Sequence, residues 1–247
     1  SFTTSGATMT KPGWAQILSG YNSEVMGIRD NTDYRPLPAG YSVLEKLENH
    51  FGPENIVTLF VAGKRDHVGG LCPGEMGEVK GQPWCLTKRS LDCFENGLDT
   101  NERVGQRALE LLEIHRHDRF FAFFQFAEPD HAGHAFGENS IQYSQAIVDD
   151  DRWLGKIMAK LRVLVIYRQT LIYVITDHGF NEGQHTHGNA PCGFMAAKDR
   201  QVIRSGDRKD LAPTILKRYG ISLEGRNGIP PVDGRPLDEP LFCMHPQ

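Results

Sequence analysis

The chain has 247 residues, 39% of them hydrophobic, and its 27 Lys and Arg against 31 Asp and Glu give a net charge of −4. That length is ample for a sizeable core, and a near-balanced charge with no basic stripe or like-charge block excludes a nucleic-acid polymer as an expected partner. No stretch reaches the roughly 18 apolar residues of a membrane span, and residues 1–20 lack the charged start and apolar run of a signal peptide, so a soluble chain is expected with no compartment or oligomeric state assigned.

In chain order, Gly13 to Leu18 reads as a short helix after Pro12, Val43 to His50 as a second helix, and Ile56 to Ala62 as a buried strand. Residues 63–100 read as an irregular, Gly-, Pro- and Cys-containing insertion. The five cysteines (Cys72, Cys85, Cys93, Cys192 and Cys243) include no C-x-x-C pair, and leave room for one bridge within 72–93. Glu102 to His115 is helical, with Val104, Ala108, Leu111 and Leu112 at core spacing. Phe120 to Phe126 is an almost unbroken apolar strand, Ser140 to Leu161 a long helix, and Leu171 to Ile175 another buried strand. Cys192 to Ala197 makes a third such strand, and Asp210 to Tyr219 a closing helix with Asp210 as its cap, before a Pro-rich tail from Gly228. Strand and helix signals alternate, which predicts an α/β fold: a mainly parallel central sheet with helices on both faces, in one domain over 1–247.

The chemistry sits where two of those strands end. Pro129-Asp130-His131-Ala132-Gly133-His134 and Thr176-Asp177-His178-Gly179-Phe180 each place Asp and His after an apolar run, and His187 follows soon after. Strand ends are where an open α/β sheet presents ligands, and mixed imidazole and carboxylate donors suit zinc best, with manganese or iron as alternatives. If the turn after Pro129 is helical, Asp130 and His134 share one face and converge on one ion.

These segments, taken in order, resemble the metal-binding signature of the alkaline-phosphatase superfamily, particularly its nucleotide pyrophosphatase/phosphodiesterase and sulfatase-like members. The resemblance extends to Thr8-Met9-Thr10-Lys11-Pro12-Gly13-Trp14-Ala15, to Gly27-Ile28-Arg29-Asp30-Asn31, and to the closing Asp210-Leu211-Ala212-Pro213-Thr214. It implies an alkaline-phosphatase-like catalytic domain with Thr10 as nucleophile and Asn31 as a donor to a substrate phosphoryl oxygen. The same likeness implies two divalent ions, one held by Asp130, His134 and His187, the other by Asp177, His178 and the Thr10 oxygen. His185 competes with His187, which stands three residues ahead of Ala190-Pro191. His131 reads as exposed. Pro12 at a helix start is expected to leave the N–H groups of residues 13–15 free for a phosphoryl oxygen.

Lys64-Arg65-Asp66-His67-Val68-Gly69 distantly resembles a sulfatase segment, which makes Lys64, His67 and also His185 candidate substrate contacts. Members of the superfamily carry a further metal-binding Asp on a strand tens of residues before the nucleophile, whereas only nine residues precede Thr10. The expectation is an N-terminally incomplete chain lacking that first strand, with an unpaired sheet position beside the site. The implied activity is hydrolysis of a small anionic phosphate ester, of the phosphodiesterase or nucleotide pyrophosphatase type, through a covalent phospho-threonine. The alternatives are a phosphomonoesterase, a phosphonate hydrolase, a phosphosugar mutase or a sulfatase-like hydrolase on the same metals, or an inactive metal-binding module.

Overall fold

The computed structural model describes residues 2–32, 36–65, 67, 68, 70, 71, 85, 86 and 91–240. Half of the insertion expected at 63–100, together with Cys72 and Cys243, lies outside the described residues. Cys93 carries a free thiol, so the bridge considered within 72–93 does not involve it.

The first helix, α1 (Thr10–Ser19), is buried along its whole length and ends on Gly20 in the left-handed conformation. It begins three residues earlier than the sequence suggested. Pro12 is its third residue, where a missing N–H costs nothing because the first turn has no intrahelical acceptors. Gly13 N–H already bonds the Met9 carbonyl, so the donors expected at 13–15 are not all free; the first-turn Lys11 N–H is taken by the Asn31 side chain. After a short helix, α2 (Ser23–Met26), Ser42 and Glu45 form a capping box that starts α3 (Val43–Phe51).

Three parallel strands follow, in the order β5–β2–β6: β2 (Val57–Ala62), β5 (Cys93–Glu95) and β6 (Phe120–Gln125). Between β2 and β5 in the chain, β3 (Gly70–Leu71) and β4 (Cys85–Leu86) pair with each other. Period-two alternation divides β2 between two cores. Phe60 and Ala62 join Trp14, Leu18, Leu44, Leu47, Ala212 and Leu216 of α1, α3 and α7 (Leu211–Arg218), while Leu59 and Val61 face Val104 and Leu111 of α4 (Asn101–Ile114). A third cluster seats α6 (Ile141–Val163) on α4 through Ala108, Leu112, Ile157 and Leu161. Helices therefore cover both faces of the sheet.

Beyond β6 the ladder is interrupted. The strand β7 (Tyr173–Ile175) pairs antiparallel with β9 (Met195–Ala197), and β1 (Phe2–Thr3) lies between β8 (Cys192–Gly193) and β10 (Gly206–Asp207). The single strand expected at Cys192–Ala197 is thus two short ones, split at Phe194. Phe121 and Phe123 of β6 and Tyr173 and Ile175 of β7 pack on one core, and Phe120 and Phe124 share a second with Ile172, yet among the described residues no strand joins β6 to β7. The five apolar residues of β6 are accordingly only half-buried, where β2 is buried from Thr58 onward.

The closing helix corrects one detail. Asp210 does not cap α7 with its side chain. Its carboxylate instead accepts from the Asp207 and Arg235 N–H groups and from Arg204, and Asp207 caps the preceding 3-10 turn, Arg208–Asp210. Two acidic residues three apart compete for the same role, and the tail's Arg235 settles which serves.

Candidate active site

Strand β6 delivers the first ligands. Just beyond it Pro129 occupies the first turn of α5 (Glu128–Phe136), and the helical turn places Asp130 and His134 on one face. Ligand atoms of Asp130, His134 and His187 all lie within 4.8 Å of one another. His178 adjoins them, with Nε2 3.7 Å from Asp130 Oδ1 and 3.4 Å from Asp177 Oδ2, and its ring stacks on that of His187 at 3.8 Å between centroids. His185 stands apart: it does not line the cavity, and its Nδ1 bonds the His134 carbonyl at 3.0 Å. His131 is exposed on the cavity wall.

Hydrogen bonds fix the tautomers of three rings. The Nδ1 atoms of His134, His178 and His187 meet the carbonyl oxygens of His185, Gly179 and Thr8, and a carbonyl only accepts. Each ring therefore carries a proton on Nδ1, which in the neutral form leaves Nε2 as the lone-pair end. Burial lowers the His187 pKa. The Nε2 atoms of His134 and His187 face each other at 3.2 Å, so that with both rings neutral two lone pairs oppose. Asp130 Oδ1 and His178 Nε2 are buried with no hydrogen-bond partner among the described residues. Two opposed lone pairs beside an orphaned carboxylate oxygen form a donor set that a divalent cation satisfies.

Lys64 enters from the loop after β2, its Nζ 2.6 Å from Asp130 Oδ2 and 3.2 Å from Thr10 Oγ1. Burial alone would raise the Asp130 pKa; the Lys64 ammonium beside it holds it below the ordinary value instead. Thr10 is 2% exposed at the start of α1. Asn31 is held against this turn, its side-chain oxygen accepting from Lys11 N–H at 3.0 Å and its carbonyl from the Lys11 ammonium. With the acceptor end occupied, the amide nitrogen is the end left to donate. Thr10, Asn31, Lys64, His67, Asp130, His134 and His187 line one cavity of about 730 Å³, with Arg65 and Arg103 also on its wall. Asp177 approaches from behind: a Cβ on Gly13 would lie 2.9 Å from its Cβ, so only glycine lets α1 sit this close to the end of β7.

Several supports escape sequence reasoning. Thr8 accepts from His187 Nδ1 through its carbonyl and donates its hydroxyl to the His187 carbonyl, joining a ligand to the segment that carries Thr10. The Phe180 ring lies edge-on to His134 and His187, with centroids 5.3 and 5.4 Å away, and fills the space that a Cβ on Gly133 would need. Gly13 and Gly133 are the one signal in the sequence for these approaches, since glycine inside a helix is disfavoured unless something packs against it.

The family profile described as Type I phosphodiesterase / nucleotide pyrophosphatase matches residues 2–238. The chain is 27% identical over 230 residues to the human protein "Ectonucleotide pyrophosphatase/phosphodiesterase family member 1", a match over 88% of this chain and 24% of that protein. It thus spans about a quarter of the length of the curated relatives it matches. Among solved structures, the phosphonate monoester hydrolase from Silicibacter pomeroyi superposes with a TM-score of 0.63 at 14% identity, over 92% of this chain and 66% of the other. Murine ectonucleotide pyrophosphatase / phosphodiesterase 5 gives 0.59 at 13% identity, over 92% and 88%. These likenesses establish an alkaline-phosphatase-like fold.

Proposed function

We propose a function for this chain, which belongs to the Type I phosphodiesterase / nucleotide pyrophosphatase family: metal-dependent hydrolysis of phosphate esters, of the diester type, through a covalent intermediate on Thr10. The observation that carries the reading is the cluster of imidazole Nε2 atoms and an orphaned carboxylate oxygen beside a buried threonine hydroxyl. Asp130, His134 and His187 would hold one divalent ion and Asp177, His178 and the Thr10 oxygen the other, and zinc would suit both donor sets. When bound, such ions supply Lewis acidity and neutralise charge at the reacting oxygens.

The chain's own groups do the rest. Lys64, donating to Thr10 Oγ1, favours the alkoxide form of that hydroxyl. Thr10 gives up its hydroxyl proton to solvent and its Oγ1 forms a bond to phosphorus as the opposite ester P–O bond breaks, and the alkoxide that leaves takes a proton back from solvent as the alcohol. The Asn31 amide donates to an equatorial phosphoryl oxygen. Water then cleaves the phospho-threonine and restores the hydroxyl. A monoester carries one more anionic oxygen than a diester, and Lys64 and His67 on the same wall favour phosphomonoesters or phosphonates as a second substrate class.

The test is rapid-quench mass spectrometry with zinc and an aryl phosphate diester, run beside monoester, phosphonate and sulfate analogues. With the diester, parent protein accumulates on Thr10 one phosphoryl group that still carries the second ester substituent, and Thr10→Ala loses turnover by at least about 10³-fold. Parent-like turnover in Thr10→Ala would refute the covalent route. Two ions per chain are expected by metal analysis; at most one ion with no hydrolysis would leave a metal-binding module.

A further inference from the structure

Arg208 is fully buried, at 0% exposure, in the 3-10 turn ahead of α7. Its four hydrogen bonds all end on neutral oxygens. Nε donates to the Gln16 side chain, Nη1 to the Asp177 carbonyl at 2.7 Å, and Nη2 to the carbonyls of Ser5 at 3.0 Å and Ala7 at 2.7 Å. Burial lowers its pKa to about 10, against the partial support of the Asp177 and Asp207 charges, so it remains a cation at neutral pH. A buried cation bonded only to neutral oxygens is a costly way to fill space, and an apolar side chain of the same volume would be a cheaper one.

What the guanidinium offers is geometry. Its planar fork has five N–H donors in fixed directions, and the acceptors come from three segments that meet nowhere else in the same way. Gln16 lies in α1, the helix that Thr10 opens. Residues 5–7 form the strap leading into Thr10, and Asp207 holds that strap a second time through Ser5 N–H and the Ser5 hydroxyl. Asp177 closes β7. A Cβ on Gly13 would lie 3.1 Å from Nη1, which puts the guanidinium against the first turn of α1.

We propose that Arg208 is a positioning residue, which fixes the Thr10 hydroxyl relative to the Asp177 carboxylate by clamping the strap, α1 and the end of β7 on one guanidinium. This inference rests on the reading of Thr10 as nucleophile. Arg208 touches neither substrate nor reacting atoms; it acts through the segments that carry them.

Arg208→Lys keeps the charge and loses the fork. With zinc and an aryl phosphate diester, its turnover number is expected to fall about 10²-fold while KM stays within about twofold of the parent, because the binding wall is untouched and the attack geometry is not. Hydrogen exchange supplies a readout independent of activity: amides of residues 5–11 exchange at least about tenfold faster in the variant, and those of β2 are unchanged. Parent-like turnover, or unchanged exchange over 5–11, would overturn the proposal. Should Arg208→Lys not fold, Gln16→Met removes a single bond at similar volume and is expected to lower turnover about tenfold at unchanged KM; no change there overturns the proposal equally. A parent that never forms phospho-threonine defeats the nucleophile reading alone, since exchange over residues 5–11 still reports whether Arg208 holds the strap.

Discussion

Gly13→Ala isolates the approach of α1 to the end of β7. The new methyl would lie 2.9 Å from Asp177 Cβ, 3.1 Å from Arg208 Nη1 and 3.3 Å from the Asp177 carbonyl, where ordinary contact begins near 3.4 Å. The first of these neighbours is anchored to backbone, so α1 must retreat by at least 0.5 Å, the difference between 3.4 and 2.9 Å. Helix propensity works the other way: replacing an interior glycine by alanine gains about 1 kcal/mol. Overpacking of this size costs about 1–3 kcal/mol, so the net loss of stability is about 0–2 kcal/mol. Turnover responds more sharply, because a displacement approaching 1 Å costs about 10²-fold in attack geometry. The expected result is a variant that folds cooperatively in a denaturant titration yet hydrolyses an aryl phosphate diester about 10- to 100-fold more slowly at saturating zinc. Gly155→Ala is the control: it lies in α6 with nothing within 4 Å of the added methyl, and should gain stability without changing the rate. Parent-like turnover in Gly13→Ala would show that the close approach has no part in catalysis.

Asp150 titrates far above an ordinary carboxylate, at about 7, through burial first and then the charges of Glu128 and Asp149. A carboxyl with a raised folded-state pKa binds its proton more tightly when folded, so its penalty is absent near pH 4, grows as pH rises toward 7 and is constant above; Asp150→Asn should therefore be more stable than the parent by roughly 2–4 kcal/mol at pH 8 and by almost nothing at pH 4, in denaturant titrations at the two pH values. Zinc added to metal-free protein at a thousandfold excess over its dissociation constant should stabilise the fold by about 4 kcal/mol, or roughly 10 °C in the unfolding midpoint, and His134→Ala should lose most of that gain. An equal midpoint rise in His134→Ala would mean that the ion binds elsewhere.

The layered fold was readable because it rests on local signals. The apolar runs of Val57–Ala62 and Phe120–Gln125 and the 3.6-residue spacing of Val104, Ala108, Leu111 and Leu112 each lie within one short window. Asp130 and His134 were visible for the same reason, as a helical pair after a strand. The start of α1 was not, because Pro12 reads as a first helical residue and is as well accommodated as the third. The hold of Arg208 on Ala7 and of Thr8 on His187 joins residues 201 and 179 positions apart, and no periodicity encodes such pairs. Lys64 belongs to the same class: its contact with Asp130 bridges 66 positions, and a charged residue in a loop carries no mark of burial.

Thr8 gives the site a property that neither metal ligand nor nucleophile has alone. His187 is tied to Thr8 by two hydrogen bonds, and Thr10 is two residues further along the same segment, so on the proposed reading an ion at His187 would restrain the Thr10 hydroxyl as well. On that reading a chelated sample would be a poor blank, because it would lose the ion together with the restraint on Thr10. Thr8→Val, which spares every ligand and severs the hydroxyl half of the link, would tell those two losses apart.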